Sequence, residues 1–249
     1  MATFGELLDE GESVPVEGWD FSWFEGRAAE ERPSWGYSRM LAQRMASASS
    51  ALDVQTGGGE VLAGIPQPPP LLVATESWAP NARLAVRNLR PLGARVVMAA
   101  DGRGLPFRTG TFGLVASRHP TAVAWDEIAR VLTPGGTYLS QQVGAGSNRE
   151  LSDFLMGPQP VGDPRRALRA VANARGCGLD VVDFREQGLR VDFYDIAAVV
   201  YFLRKVLWTV PGFTVARYRD RLLALHQRIQ DEGRFVCHSQ RFLIEARKP

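Results

Sequence analysis

Residues 51–60 read ALDVQTGGGE, and the prediction of the fold starts from them. It begins as a short apolar run typical of a buried strand, carries an acid at Asp53 and ends in three glycines. Glycine is needed where the backbone turns tightly and lets a ligand approach closely. In open parallel sheets, ligands bind beyond the carboxyl ends of the strands. We therefore predict that a ligand site starts at this turn.

The same alternation of strand and helix continues along the chain. Further apolar runs predict strands at 71–75, 95–100, 112–117, 137–143 and 179–186, and the alternating stretch 234–247 predicts an antiparallel edge strand. Helical spacing of apolar residues predicts helices within 37–45, 79–89, 125–132, 165–175, 195–208 and 218–229. These patterns together predict an α/β fold with a doubly wound, seven-stranded, mostly parallel sheet whose last strand is antiparallel.

The chain divides into two predicted parts. Residues 1–36 hold no long periodic pattern but are rich in aromatic side chains, and we expect them to form a lid over the site. Residues 37–249 form the ligand-binding domain, within which 191–233 is a helical insertion before the last strand. The alternative for the aromatic residues of 1–36 is that they only fix this segment to the body of the protein.

Carboxylates follow three successive predicted strands. Asp53 ends the first, Glu76 follows the second at a distance of 23 residues, and Asp101 ends the third. An acid about 20 residues after the first strand suits the hydroxyl groups of a ribose. A single acid at a strand end is often only a turn or cap residue, but three in succession indicate a binding edge.

Several segments resemble the class I methyltransferases that depend on S-adenosylmethionine (SAM). They are LDVQTGGGE, ATES, AADGRGLPF, FGLVASRHP and EIARVLTPGGTYLSQQV, and the resemblance covers residues 37–143. It implies that Gly57 and Gly59 pack against the amino-acid portion of SAM and that Asp53 organises this loop. It also implies that Glu76 binds the ribose hydroxyls and Asp101 accepts from the adenine amino group. Two further residues are expected beside the adenine, namely Ser77 and Gly102.

One position departs from the family pattern. The glycine series usually begins two residues after the acid, where this chain has Gln55, so we expect an additional polar contact or a small displacement of the methionine moiety. The remaining predicted cofactor contacts are Trp19 of the lid, Thr56 of the loop and Arg118 after the fourth strand of the binding domain. A nicotinamide-dependent dehydrogenase is the competing prediction, but its G-x-G-x-x-G fingerprint is absent from this turn and an acid there would repel a pyrophosphate.

The acceptor site is predicted from position alone. His119 follows the fourth strand of the binding domain, and its reference pKa near neutrality suits a general base as well as a substrate contact. The alternative is that Arg118 and His119 only orient their loop or touch the cofactor. The insertion contributes Tyr194 and Trp208 as predicted substrate contacts, and its other aromatic residues are expected to be core or a dimer face.

We therefore expect methyl transfer from SAM to O or N of a small, apolar or aromatic molecule. An RNA base methyltransferase, for ribosomal RNA, is the first alternative. The net charge of +2 gives it no basic face, and the absence of a D/N-P-P-Y/F motif disfavours methylation of amino groups on DNA bases. A non-catalytic, regulatory SAM-binding protein is the second alternative.

Composition limits the setting in which the protein is expected to act. Cys177 and Cys237 form no CxxC pair and are expected to be reduced thiols, and no metal site is predicted. The acidic N-terminus lacks a signal sequence, and no apolar run approaches the roughly 20 residues of a membrane span. We expect a cytoplasmic monomer or homodimer without nucleic-acid or membrane partners.

Overall fold

One sheet of eight strands forms the centre of the computed structural model, which describes residues 2–18, 20–160 and 166–249. In chain order the strands are β1 (Ala28–Glu30), β2 (Ser50–Asp53), β3 (Leu71–Glu76), β4 (Arg95–Met98), β5 (Phe112–Arg118), β6 (Leu132–Val143), β7 (Asp180–Phe193) and β8 (Phe235–Arg247). Their order across the sheet is β1-β7-β8-β6-β5-β2-β3-β4. The predicted α/β class is confirmed.

The parallel part of the sheet is the predicted one. β4, β3, β2, β5 and β6 pair in parallel, so the carboxyl ends of β2, β3 and β5 meet along one edge. Two details of the prediction are wrong. The sheet has eight strands and not seven, because β1 adds antiparallel to β7. β8 is antiparallel but is not an edge strand, since it pairs with both β6 and β7.

Nine helices lie within the described ranges. They are α1 (Phe4–Ser13), α2 (Tyr37–Ser47), α3 (Glu60–Ala63), α4 (Ala79–Leu89), α5 (Trp125–Val131), α6 (Arg149–Met156), α7 (Ala167–Gly176), α8 (Ile196–Lys205) and α9 (Val215–Glu232). No helix in this part of the chain has both the length and the apolar character that crossing a bilayer requires. α8 and α9 lie within the predicted insertion, and α1, α3 and α6 were not predicted.

The two faces of the parallel sheet bury different residues because neighbouring side chains of a strand point to opposite sides. Ala51 and Leu114 pack in the cluster that contains α2 and α4, whereas Leu52 and Val115 pack in the cluster that contains α5 and α7. All four are at most 2% exposed. Both faces are therefore covered, as a doubly wound fold requires, and the edge formed by the strand ends is left for a ligand.

A third core includes α1, a helix that the sequence of residues 1–36 did not lead us to predict. α1 is capped by Thr3, whose hydroxyl accepts from the Glu6 backbone N–H while the Glu6 carboxylate accepts from the Thr3 backbone N–H. Leu8 is 1% exposed and packs with residues of α6, α8, α9 and the distal ends of β7 and β8. Gly11 allows the approach, because a Cβ there would lie 2.7 Å from the Ala197 carbonyl oxygen. The predicted lid therefore begins with a helix that belongs to the core of the insertion.

Candidate functional site

The carboxylate of Glu76 lies at the end of β3 and organises the turn after β2. Its Oε2 accepts from the Gly57 N–H at 2.8 Å, and its Oε1 accepts from the N–H groups of Ser77 at 3.0 Å and Trp78 at 2.9 Å. Burial raises the pKa of Glu76. The three backbone donors lower it, and the charge of Asp101 raises it. A carboxylate offers about four acceptor positions, so three backbone bonds leave room for a hydroxyl donor.

The glycine turn has a shape that side chains would prevent. Gly57 and Gly59 adopt positive φ angles of 65° and 81°. A Cβ on Gly59 would lie 2.9 Å from Leu89 Cγ, and one on Gly58 would overlap the Glu60 carboxylate. The turn is therefore held between α4 and the first residue of α3, and its backbone is free of side chains where a ligand would approach.

Asp53 ends β2 beneath this turn and is buried. Burial raises the pKa of Asp53 to about 7, the Thr56 hydroxyl and the Arg118 guanidinium act in the opposite direction, and the Glu76 charge raises it further. A carboxyl group in this state becomes fully ionised when a cation lies beside it. Asp53 is thus suited to an ammonium or sulfonium group.

Gln55, the departure from the family pattern, connects two loops of the site. It has a left-handed φ of 59°. Its Nε2 donates to the Ala122 carbonyl at 2.7 Å, and its Oε1 accepts from the Thr121 N–H at 2.7 Å. The side chain therefore ties the turn after β2 to the loop after β5.

Asp101 follows β4 and lies beside a narrow slot between these loops. Its Oδ2 accepts from the Thr121 hydroxyl at 2.8 Å, while its buried Oδ1 has no hydrogen-bond partner in the described part of the chain. Gly102 closes the turn with a φ of 65°, and a Cβ there would lie 2.8 Å from Ala122 Cβ. The slot holds only about 20 Å³, so a purine enters it only if the loops after β4 and β5 separate.

A larger cavity of about 210 Å³ opens from the glycine turn toward the insertion. Its wall contains Asp53, Gln55, Thr56 and Glu60 at the turn, Arg118, His119 and Arg241 at the strand ends, and Phe21, Phe202, Val206 and Trp208 on the apolar side. The cavity therefore joins the predicted cofactor loop to an apolar surface in one continuous space.

Two arginine residues flank His119 in this wall, and they differ in the hydrogen bonds and ion pairs that their side chains make. Arg241 Nη2 donates to Glu30 Oε1 at 2.7 Å and its Nη1 lies 3.3 Å from Ser147 Oγ. Arg118 makes no hydrogen bond or ion pair to any residue that the structure describes. The cavity thus contains one guanidinium that is neutralised and one that is available to an anion.

The N-terminal segment crosses the cavity after α1. The Gly18 N–H donates to Asn81 Oδ1 at 2.8 Å on α4, and Phe21 lines the cavity. β1 then pairs with β7, where Glu30 reaches Arg241. This segment therefore contacts α4, contributes Phe21 and Glu30 to the cavity wall and pairs with β7, while its role as a lid stays a prediction.

The structure brings most predicted site residues together. Asp53, Gln55, Thr56, Arg118, His119 and Trp208 line the larger cavity, and Asp101 and Gly102 line the slot. Gly57, Gly59, Glu76 and Ser77 form the turn and its hydrogen-bond partners. Tyr194 is not among the residues that line either space, is 37% exposed and donates its backbone N–H to Arg27. Trp19 lies outside the described residues.

Sequence reasoning missed the polar residues that β8 and the loop after β6 contribute. Arg241, Ser147 and Asn148 line the cavity although they lie far from its other residues in the chain. The charge of Arg241 inside an alternating apolar strand was the available signal. A strand predicted at the edge of the sheet does not border the site, so the sequence did not place Arg241 there. Cys177 and Cys237 are free thiols, as predicted, and no metal-binding group of His, Cys, Asp or Glu occurs in the described part of the chain.

The residues present fit an adenosyl cofactor by their chemistry. Asp101 presents an unpartnered buried oxygen at the slot, Glu76 keeps acceptor capacity at the end of the neighbouring strand, and the glycine turn between them bears no side chain. Acceptors for an exocyclic amine and for ribose hydroxyls thus lie on adjacent parallel strands, and Asp53 lies where a cationic methionine end would extend into the cavity.

Comparison with solved structures gives the same fold. A provisionally assigned methyltransferase from Bacillus halodurans C-125 is 16% identical, with a TM-score of 0.61 over 87% of this chain and 99% of its own. The [4+2]-cyclase SpnF is 17% identical, with a TM-score of 0.54 over 98% and 91%. Geranyl diphosphate methyltransferase in complex with SAM is 17% identical, with a TM-score of 0.50 over 85% and 84%.

Sequence comparison identifies a methyltransferase domain within part of the chain. A search of curated proteins finds no match. Residues 52–140, which run from β2 through most of β6 and include the glycine turn, Glu76 and Asp101, match the family model described as a methyltransferase domain. This match assigns residues 52–140 to that methyltransferase-domain family, and the solved structures share the fold of the chain around it.

Proposed function

We propose that this protein transfers a methyl group from SAM to an oxygen or nitrogen atom of a small molecule with an apolar or aromatic body. The cavity is the observation that carries this proposal. It joins Asp53 and Gln55 of the cofactor turn to Phe202 and Trp208 of the insertion. Its volume of about 210 Å³ is below the roughly 300–1,000 Å³ of sites for drug-sized ligands, which favours a small acceptor.

The proposed cofactor contacts follow from the geometry of the strand ends. When bound, SAM supplies a methyl group made electrophilic by a positively charged sulfur. Glu76 accepts from the ribose, and Asp101 accepts from the adenine amino group through its unpartnered Oδ1. Asp53 is proposed to complement the ammonium group of the methionine portion, and Gly57 and Gly59 let the backbone approach it.

The proposed acceptor contacts lie on the other side of the cavity. Trp208 and Phe202 provide apolar surface, and His119 provides a polar contact at the end of β5. Phe21 of the predicted lid lines the cavity, and closure of such a lid would exclude water from the reacting atoms. Positioning the acceptor in line with the methyl group accounts for much of the rate acceleration that such an enzyme needs.

The two alternatives remain distinguishable. The fold alone does not decide the reaction, because a protein named as a [4+2]-cyclase shares it. A base of RNA would have to enter the same cavity, and the net charge of +2 offers little attraction for a phosphate backbone. The predicted cytoplasmic location and the monomeric or homodimeric state remain predictions.

Methylation of a cell extract with SAM labelled in the methyl group tests the proposal. We expect label in the low-molecular-weight fraction, extractable into organic solvent, and none with Asp101→Ala, which should not bind the cofactor. Label in RNA would support the first alternative. Binding of SAM without label in either fraction would support a regulatory protein and contradict the proposed transfer.

A further inference from the structure

A chain of three side chains leads from the protein core to the cavity. The Trp35 indole Nε1–H donates to Gln141 Oε1 at 2.8 Å, and Gln141 Nε2 lies 2.9 Å from His119 Nε2. Trp35 and Gln141 are 4% and 3% exposed, so water does not compete for these bonds. The backbone N–H of His119 also donates to the Gln141 carbonyl at 2.7 Å. Gln141 thus holds both the ring and the main chain of His119.

The chemistry of these groups determines where the His119 proton lies. An indole N–H can only donate, so the side-chain oxygen of Gln141 must face Trp35. The amide nitrogen of Gln141 then faces His119 and must donate to it. His119 Nε2 therefore accepts, and the proton of the neutral ring is on Nδ1.

Among the described residues, none is hydrogen-bonded to the Nδ1 side of the ring. Nδ1 makes no hydrogen bond to any described residue, and His119 lines the cavity. Burial and the neighbouring charges of Arg241 and Arg118 hold the pKa of His119 well below its usual value, so the ring stays neutral. A ring in this state offers the cavity an N–H donor and no lone pair, which a general base would need.

The charges around His119 indicate which kind of ligand group would bind the Nδ1–H donor. Arg241 is neutralised by Glu30, whereas Arg118 has no ion-pair partner in the described part of the chain. The acids Asp53 and Glu60 line the cavity on the side of the cofactor turn. A carboxylate beside His119 would accept from Nδ1–H and balance the charge of Arg118, while its apolar body would lie toward the insertion.

We propose that Trp35 and Gln141 are positioning residues that fix His119 as a hydrogen-bond donor, and that this donor and the Arg118 guanidinium receive a carboxylate of the methyl acceptor. This inference rests on the proposed function and narrows its acceptor to apolar carboxylic acids. It replaces the role of general base that the position of His119 in the sequence indicated.

The tautomer is measured directly by ¹⁵N NMR of histidine-labelled protein without cofactor, with the His119 signals identified by their loss in His119→Asn. We expect the wild-type ring to be protonated on Nδ1 only. Gln141→Glu keeps the acceptor for Trp35 but replaces the amide donor with an acceptor, so Nε2 of His119 should become protonated. Gln43→Glu, the same change at an exposed position of α2, should leave the signals unchanged.

A wild-type ring protonated on Nε2, or one whose signals do not respond to Gln141→Glu, would overturn the positioning role. A second experiment tests the carboxylate by calorimetry on protein saturated with S-adenosylhomocysteine. Phenylacetate and 3-phenylpropionate are each compared with the alcohol of the same skeleton. We expect at least one acid to bind about 10-fold more tightly than its alcohol, as a hydrogen bond to a charged group predicts.

The acid should lose this advantage in Gln141→Glu and keep it in Gln43→Glu. Alcohols that bind as tightly as both acids in the wild type would overturn the carboxylate assignment. Failure of S-adenosylhomocysteine to bind would instead contradict the proposed function, and the tautomer measured without cofactor would still decide the role of Trp35 and Gln141.

Discussion

Replacing Asp53 with asparagine should stabilise the protein more at high pH than at low pH. Burial raises the pKa of Asp53 in the folded state from 3.8 to about 7. The folded state therefore favours the protonated carboxyl, and this contribution to stability is complete below the unfolded pKa and lost as the pH rises through the folded pKa. The amide has no such titration.

The size of the effect follows from the two pKa values. Relative to full protonation of both states, the raised pKa of folded Asp53 lowers the free energy of unfolding by about 1.6 kcal/mol at pH 5 and about 4 kcal/mol at pH 8. The free energy of unfolding of Asp53→Asn, minus that of the wild type, should therefore increase by about 2.5 kcal/mol between these pH values. Any hydrogen bond that the amide loses adds a constant and leaves this difference unchanged.

Urea unfolding at several pH values between 5 and 8, without cofactor, measures this difference. Asp220→Asn on the exposed side of α9 is the matched control for removal of one negative charge. A difference between Asp53→Asn and wild type that does not change with pH would refute the argument, because the buried carboxyl would then titrate alike in the folded and unfolded chain.

Two further changes test how the site is supported. Gly59→Ala should lower the free energy of unfolding by about 1–3 kcal/mol, because the φ of Gly59 is 81° and the new Cβ would lie 2.9 Å from Leu89 Cγ. A melting temperature equal to that of the wild type would contradict this prediction. Arg44→Met should lower the free energy of unfolding by about 1–3 kcal/mol, because the buried Glu245 carboxylate loses hydrogen bonds of 2.7 and 3.0 Å. Urea unfolding of the double variant Arg44→Met with Glu245→Gln should show that part of this loss is recovered.

The parallel half of the fold was predictable because its signals are local. β2, β3 and β5 are short apolar runs, and the acids Asp53, Glu76 and Asp101 follow three strands in succession. Once such strands are parallel, their carboxyl ends must meet, so the cofactor side of the site follows from the sequence.

The rest of the fold depends on contacts that sequence patterns do not carry. α1 contains Gly5 and Gly11, which lower helix propensity, and it is held by packing against α8. β1 has only three residues and exists because it pairs with β7. β8 alternates as an edge strand would, yet it lies between β6 and β7, and for that reason Arg241 reaches a cavity that its sequence position did not indicate.

Calorimetric titration of S-adenosylhomocysteine into wild type, Glu76→Gln and Asp101→Asn tests whether an adenosyl group lies across the ends of β3 and β4, with Glu232→Gln on the exposed end of α9 as control. We expect binding to the wild type and the control, and a loss of about 10-fold or more in affinity for each site variant, because hydrogen bonds to charged acceptors are lost. Absence of heat with the wild type, or wild-type affinity in both site variants, would contradict the placement of the adenosyl group across the ends of β3 and β4.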